Sequence, residues 1–205
     1  MGYGRTTLNG IQPAVADVDR FITTVDMANG DYAPIGNAGA MPEANTARHV
    51  TLTRTFAAGA DTPGTVLIYG LNLAGQVITE TLTPSAVDAT LVEGTKWFSK
   101  VINITSAGWA IAANNDTITF GCGADAIIAE GSGTLHGIQI NTTANGTITV
   151  SDAGGTIAVL PVNVAVGTFY QWDVNWSGWL RVVMAAASNI TVMHSGSNAL
   201  TYKTS

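Results

Sequence analysis

Hydrophobic and polar residues alternate with a period of two along much of the chain from residue 50 onwards. The stretch VTLTRTF places Val50, Leu52, Arg54 and Phe56 on one side and three threonines on the other. This alternation is typical of a β-strand with one buried face. No long window shows the spacing and the terminal caps of an amphipathic helix. The pattern therefore predicts an all-β protein.

Short turns divide this pattern into strands. The runs TVLIYGLN (65–72) and QVITETLT (76–83) are separated by LAG, which ends at Gly75. Two β-rich runs joined by a short link that contains glycine favour a hairpin. Another strand is predicted around residues 97–104, and a further one at residues 117–120, after a turn-forming Asn-Asn-Asp.

The same pattern begins again after residue 130. GTLHGIQI is one predicted strand, and the runs GTITVSD and TIAVLPV form the next two, around the turn AGG. Asn145-Gly146 is the strongest short hairpin signal in the chain. Pro161 is expected to end its strand or to confine it to a sheet edge. The side chains expected to point inward are those of Ile148, Val150, Ile157 and Val159.

Residues 1–40 differ from the rest, because they lack a sustained period and are rich in Gly, Ala, Asn and Pro in their second half. We predict an extended N-terminal arm that becomes ordered on contact with a partner. Within it, residues 14–25 fit a short helix or a strand. Charged residues become rare after AEGSGT (129–134), which suggests a boundary. The predicted organisation is this arm followed by two small β-sandwich or jelly-roll-like domains, 41–128 and 131–205.

Charged residues are scarce: 11% of the chain is charged, 46% is hydrophobic, and the formal net charge is -6. Eight dispersed basic residues do not form the clusters that nucleic-acid binding requires. No apolar run approaches the ~18 residues of a membrane span, and no signal peptide is evident. We therefore expect neither nucleic acid nor membrane as a partner. A surface of Thr, Ser, Asn and Gly requires little desolvation of charge when another protein covers it.

The residue types that usually carry chemistry are few. His49, His136 and His194 show no metal-ligand spacing, and the acidic residues form no calcium loop. His194 precedes Ser195, but no Gly-x-Ser-x-Gly motif is present, so a catalytic triad could form only through the fold. The single cysteine excludes an internal disulfide. The sequence predicts a protein without cofactor, metal or enzymatic activity.

One segment is rich in large aromatic residues. YQWDVNWSGWL, residues 170–180, contains Tyr170, Trp172, Trp176 and Trp179. Tryptophan fills cores, anchors protein interfaces and stacks on sugars, and the sequence leaves these three roles open. Phe21 and Tyr32, in the predicted arm, are further candidate interface residues.

The segment from Val66 to Gly121 resembles a pattern of small virion proteins of tailed bacteriophages. In that pattern, a hairpin carries G…G-x-x-x-T-E-T, here within YGLNLAGQVITETLTP, and G-T-K-x-F, here GTKWF, leads into the next strand. The second block, from GTLHGIQI through GTITVSDAGGTIAVL to NITVMH, also resembles a phage module. Such modules occur in capsid decoration (cement) proteins and in tail or head-fibre parts.

The resemblance implies a structural role in the virion. As a decoration or cement subunit, the protein would be made in the cytoplasm of the bacterial host and placed on the capsid surface. There it would clamp neighbouring major capsid proteins and associate with itself, as a homotrimer, while its arm lies along the capsid. The alternative is a tail, baseplate or head-fibre adhesin that binds host-surface glycan through Trp172, Trp176 and Trp179.

Overall fold

The structure, a computed structural model, describes residues 6–9, 16–34, 39–42, 45–57, 61–111, 115–186 and 188–196. These residues form thirteen β-strands and no α-helix, which confirms the all-β prediction. The strands are β1 (Thr6–Asn9), β2 (Asp17–Asp26), β3 (Gly30–Tyr32), β4 (Ala47–Thr55), β5 (Thr65–Leu71), β6 (Val77–Leu82), β7 (Leu91–Glu93), β8 (Lys100–Ala107), β9 (Thr117–Ile140), β10 (Ile148–Asp152), β11 (Gly155–Leu160), β12 (Phe169–Met184) and β13 (Ile190–Gly196).

The chain divides into two compact units. The continuous unit is Val15–Gly123, and the discontinuous unit combines Met1–Ala14 with Ala124–Ser205. This division differs from the predicted boundaries at residues 40 and 130. Residues 129–134, where a boundary was expected, lie within β9, a single strand of 24 residues. Glycine in AEGSGT therefore does not interrupt the strand.

The continuous unit contains strands of two sheets. In one, β9 is hydrogen-bonded to β2 and β4, and β4 to β7. The other has the order β3-β8-β5-β6, and its β5–β6 hairpin pairs Val66 with Leu82 and Leu71 with Val77, as the sequence predicts. Both sheets contribute buried residues to one hydrophobic core, among them Leu52, Ile68, Ile104 and Phe120.

Part of the predicted arm is folded. Residues 17–26 and 30–32 are strands β2 and β3, and β2 carries Phe21, which is 2% exposed. Met27 is fully buried in the same core, and its backbone N–H bonds the carbonyl of Asp116. Burial of large apolar side chains at these positions stabilises the folded unit, and residues 17–32 are therefore not part of the extended arm that was predicted. Residues 1–5, 10–15 and 35–38 of the predicted arm lie outside the described residues.

A buried ion pair joins two parts of the continuous unit that are distant in the sequence. The Nε of Arg54 donates to Oδ2 of Asp116 at 2.8 Å, and both side chains are at most 3% exposed. The other carboxylate oxygen of Asp116 accepts the N–H of Ala57 at 2.8 Å, and the N–H of Asp116 donates to Asp61 at 2.7 Å. The guanidinium also donates to the Asp61 carbonyl at 3.0 Å. The charges are therefore both paired and hydrogen-bonded, as burial requires.

The sequence stretches T-E-T (79–81) and G-T-K (94–96) contact each other in the structure. The carboxylate of Glu80, from T-E-T, accepts the N–H of Thr95 at 2.6 Å and that of Lys96 at 3.3 Å, both from G-T-K. A side chain at Gly94 would collide with this carboxylate. Glu80 thus fixes the turn before β8, and this contact requires glycine at position 94.

The described strands of the discontinuous unit form one sheet, in the order β1-β13-β9-β12-β10-β11. The predicted hairpin of β10 and β11 is present, with Leu160 opposite Ile148 and at the sheet edge, just before Pro161. Val159 lies opposite Thr149 and is 57% exposed, so its predicted inward orientation is wrong. A register shift after Val150 changes which side of β11 faces the core.

Asn145-Gly146 does not connect a hairpin. β9, which precedes it, pairs with β12 and β13, whereas β10, which follows it, pairs with β11 and β12. The turn leads the chain from one strand to a non-adjacent one in the same sheet. The dipeptide predicted the turn correctly but not the pairing of the strands around it.

Candidate functional site

The aromatic residues of β12 occupy different environments. Trp176 is 2% exposed and belongs to the hydrophobic core of the discontinuous unit. Tyr170 and Trp172 are half-buried against that core, with nearly parallel rings whose centroids are 5.9 Å apart. Trp179 is half-buried, and the Arg181 guanidinium lies 5.5 Å from its ring centroid. The cluster is therefore part core and part surface, and Trp176 is not available to a sugar.

The backbone of β12 explains this division. Its pairing with β9 shifts register between Gln171 and Val174, and Asp173, within this bulge, has a φ of 54°. A bulge adds a residue and changes which side chains face the core. Gly178, between Trp176 and Trp179, has a φ of 77°, and the second register shift lies between Leu180 and Arg181.

Phe21 and Tyr32 lie together, but not on a free arm. Both line a pocket of about 360 Å³ in the continuous unit. The Tyr32 ring packs 5.6 Å from that of Phe120, and its hydroxyl donates to the Ala28 carbonyl at 2.9 Å. Phe21 is in the core, so only Tyr32 offers appreciable surface.

An apolar surface that the sequence analysis did not identify lies on the four-stranded sheet. Leu67, Tyr69, Val77 and Ile102, which we call the Leu-Tyr face, are 39–56% exposed. The residues opposite Leu67 and Tyr69 on β6 and β8 are Thr79, Thr81, Asn103 and Thr105. No charged side chain therefore lies directly across from its two central residues. The sequence of β5 contained this signal, because Val66 to Tyr69 is an unbroken apolar run. In a strand, Leu67 and Tyr69 then lie on the face opposite to the buried Val66 and Ile68.

A second group lies on three adjacent strands of the discontinuous unit. The Nδ1 of His136, on β9, is 2.7 Å from the Asp173 carboxylate on β12, and its Nε2 is 3.0 Å from Ser195 Oγ on β13. The Asp173 carboxylate also accepts a hydrogen bond from Gln171 at 3.0 Å. Beside these residues lies a pocket of about 200 Å³, lined in part by Phe169 and Met193. The sequence contains these residue types, but it did not predict that their side chains lie within hydrogen-bonding distance of one another.

His194, which precedes Ser195, is on the buried face of β13. Its ring is 2% exposed and makes an edge contact with Trp176, with centroids 6.2 Å apart. Neither nitrogen of this ring, nor the Trp176 indole nitrogen, has a hydrogen-bond partner among the described residues. Burial, followed by repulsion from His136, lowers the pKa of His194 below its ordinary 6.5. The ring is therefore held neutral in the core.

This burial predicts acid sensitivity. Because the pKa of His194 is lower in the folded state, the unfolded chain binds more protons below about pH 6.5, and stability falls as the pH falls. We expect this residue to contribute a loss of up to about 1 kcal/mol per pH unit. Urea unfolding at pH 7.5, 6.5 and 5.5 should show the His194→Leu variant gaining stability relative to the wild type as the pH drops. A constant difference between the two proteins would contradict the prediction.

Within the described part of the chain, no group of three or more His, Cys, Asp or Glu residues is placed to hold a metal ion. The same residues include no helix that is long and apolar enough to cross a membrane. Comparison of the chain with protein-family models and with curated proteins finds no significant match.

Proposed function

We propose that this chain is a structural protein of a tailed-bacteriophage virion, a capsid decoration or cement subunit. Its partners are the major capsid protein and further copies of itself, in a homotrimer on the capsid surface. Its two units act as small β-sandwich-like modules that hold neighbouring subunits together. The resemblance of Val66–Gly121 to phage virion proteins suggests this role.

The observation that carries the proposal is the Leu-Tyr face. Four large apolar side chains are exposed on one sheet, among threonine and asparagine. Contiguous apolar surface of this kind marks sites of protein association, and tyrosine is a favoured anchor residue of interfaces. The side chains directly opposite Leu67 and Tyr69 are uncharged, and the Asp31 carboxylate accepts a hydrogen bond from Thr105 at the border of the face. Burial of the two central residues therefore removes little charge from water, and many weak contacts of this kind suit a shell.

Replacing the centre of this face should abolish association. In a Leu67→Glu/Tyr69→Glu variant, two carboxylates would have to be buried unpaired, and we expect binding to weaken by about 100-fold or more. Sedimentation velocity would report self-association, and co-sedimentation would report occupancy on undecorated shells of the phage that encodes the chain. Because both side chains point outward, the fold should persist.

The matched control for this experiment is Val87→Glu, which adds a charge at an exposed valine of the same unit, outside the strands. This variant should bind as the wild type does. If the double variant still occupies shells and self-associates at wild-type levels, the Leu-Tyr face is not the interface. Deletion of residues 1–40 cannot by itself test whether the predicted arm binds the capsid, because it also removes the core residues Phe21 and Met27.

The glycan-binding alternative rests on the stacked Tyr170–Trp172 pair and on Trp179. Parallel, half-exposed rings can pack against a sugar. Glycan-array binding that disappears in Trp172→Ala, with the fold intact, would favour an adhesin over a decoration protein.

A further inference from the structure

The hydrogen bonds of His136 are arranged so that its imidazole can activate a hydroxyl group. A hydrogen on Nδ1 that is donated to Asp173 leaves Nε2 with a lone pair, which faces Ser195 Oγ at 3.0 Å. In this tautomer the imidazole can accept the hydroxyl proton, and the carboxylate stabilises the cation that results. The other pairing of histidine and carboxylate, His49 with Glu93 at 3.3 Å, includes no serine hydroxyl among its described contacts.

The strands hold these three side chains in place. Ser195, His136 and Asp173 belong to β13, β9 and β12, which are consecutive in the sheet. Register shifts occur beside two of them, between Gln171 and Val174 and between Met193 and His194. The φ of 54° at Asp173 lies in the left-handed region, which aspartate adopts more readily than most residues with a side chain, and it accompanies the bulge that directs this carboxylate.

A space for a reactant adjoins His136 and Asp173. The pocket of about 200 Å³ has His136 and Asp173 in its wall, with Phe169, Gln171 and Met193. Its size suits an acyl group of a few carbons, and Phe169 and Met193 provide apolar contact. The His136 side chain is 27% exposed, so the imidazole is accessible from this side.

We propose that Ser195, His136 and Asp173 form a nucleophilic site that hydrolyses short-chain carboxylic esters. Ser195 and His136 are the catalytic residues, and Asp173 is a positioning residue that acts through His136. The proposal goes beyond a structural role in the virion, and it departs from the expectation of a protein without enzymatic activity.

The reaction proceeds in two balanced steps. Ser195 Oγ bonds to the ester carbonyl carbon while its proton passes to Nε2 of His136, and the carbon–oxygen bond to the alcohol then breaks. The alcohol leaves with the proton from His136, and the acyl group remains on Ser195. Water then attacks the acyl-serine with His136 as base, which releases the carboxylic acid and restores the hydroxyl group. Because Asp173 is 53% exposed, solvent weakens its effect on the imidazolium, and we expect slow turnover.

The test uses the full chain and two probes, p-nitrophenyl acetate for turnover and a fluorophosphonate for covalent labelling. Ser195→Ala and His136→Gln should each lower kcat/KM for the ester by about 100-fold. The fluorophosphonate should add one group to the wild type, at Ser195, as fluoride leaves, and none to Ser195→Ala. Asp173→Asn should lower kcat with KM unchanged.

Two matched controls separate the site from the background reactivity of surface side chains. His49→Gln removes a histidine that is also paired with a carboxylate, and Ser177→Ala removes an exposed serine of the same sheet. Both variants should retain the wild-type rate, and thermal melts would verify that every variant folds. If wild-type and Ser195→Ala proteins cleave the ester equally fast, or if the label is found on another residue, the site is not nucleophilic.

Discussion

Replacement of Asp116 by alanine should destabilise the protein by about 3–5 kcal/mol, because the charge of Arg54 would remain buried without its partner. The same change removes the acceptor of the Ala57 N–H. For a chain of this size, the midpoint of thermal unfolding should fall by roughly 6–20 °C. Guanidinium unfolding followed by circular dichroism measures the change in the free energy of unfolding.

A second, more exposed ion pair provides a control for this experiment. The Arg181–Asp125 pair has an equally short contact, 2.7 Å, but its side chains are 31% and 34% exposed. Asp125→Ala should therefore cost below about 1 kcal/mol, since solvent already screens this pair. The double variant Arg54→Met/Asp116→Leu should be more stable than Asp116→Ala, because it removes the buried charge of Arg54 together with its partner. A loss in Asp116→Ala as small as that in Asp125→Ala would show that the buried pair is not important for stability.

Replacement of Trp176 by alanine should have an effect of similar size, about 3–5 kcal/mol, because a fully buried indole leaves a large cavity. Trp176→Phe should remain within about 1 kcal/mol of the wild type. The indole N–H that this variant removes has no hydrogen-bond partner among the described residues, so the loss of its burial offsets part of the lost packing.

Trp172 provides the comparison within the same strand. Its ring is half-buried and stacked on Tyr170, so Trp172→Ala should destabilise by about 1–2 kcal/mol. Urea unfolding of the three variants tests this order. If Trp176→Ala and Trp172→Ala have equal, small effects on stability, both rings lie at the surface. That result would support the hypothesis that all three tryptophans bind glycan.

Local patterns in the sequence predicted the strands and one kind of connection. The β5–β6 and β10–β11 hairpins follow from period-two alternation around short glycine turns, which depend only on nearby residues. A strand was one of two structures that fitted residues 14–25, but the burial of Phe21 was not predicted, because the partner of β2, β9, lies about a hundred residues later in the chain. Pairing at that distance is a tertiary effect that local composition does not contain.

The candidate sites also depend on strand pairing that local sequence does not predict. Which ring of the aromatic segment enters the core depends on the bulge at Asp173, and no turn signal in the sequence predicts that bulge. Contact between His136, Asp173 and Ser195 depends on the strand order β13-β9-β12 and on two register shifts. A shift of one residue would turn any of these side chains to the opposite face of the sheet. The Leu-Tyr face could have been predicted, because the unbroken apolar run of β5 puts apolar side chains on both faces of the strand.

The division of the chain has a consequence for synthesis on the ribosome. Residues 15–123 emerge as one uninterrupted block and can begin to fold while the remainder is still being translated. β1 precedes this block in the chain, yet it pairs with β13, so its ladder cannot close until residues 190–196 have been synthesised. Its partner thus follows the whole block, and pairing of such high contact order is slow. Until β13 is available, the unpaired edge of β1 is a site where a nascent-chain chaperone would prevent wrong pairing.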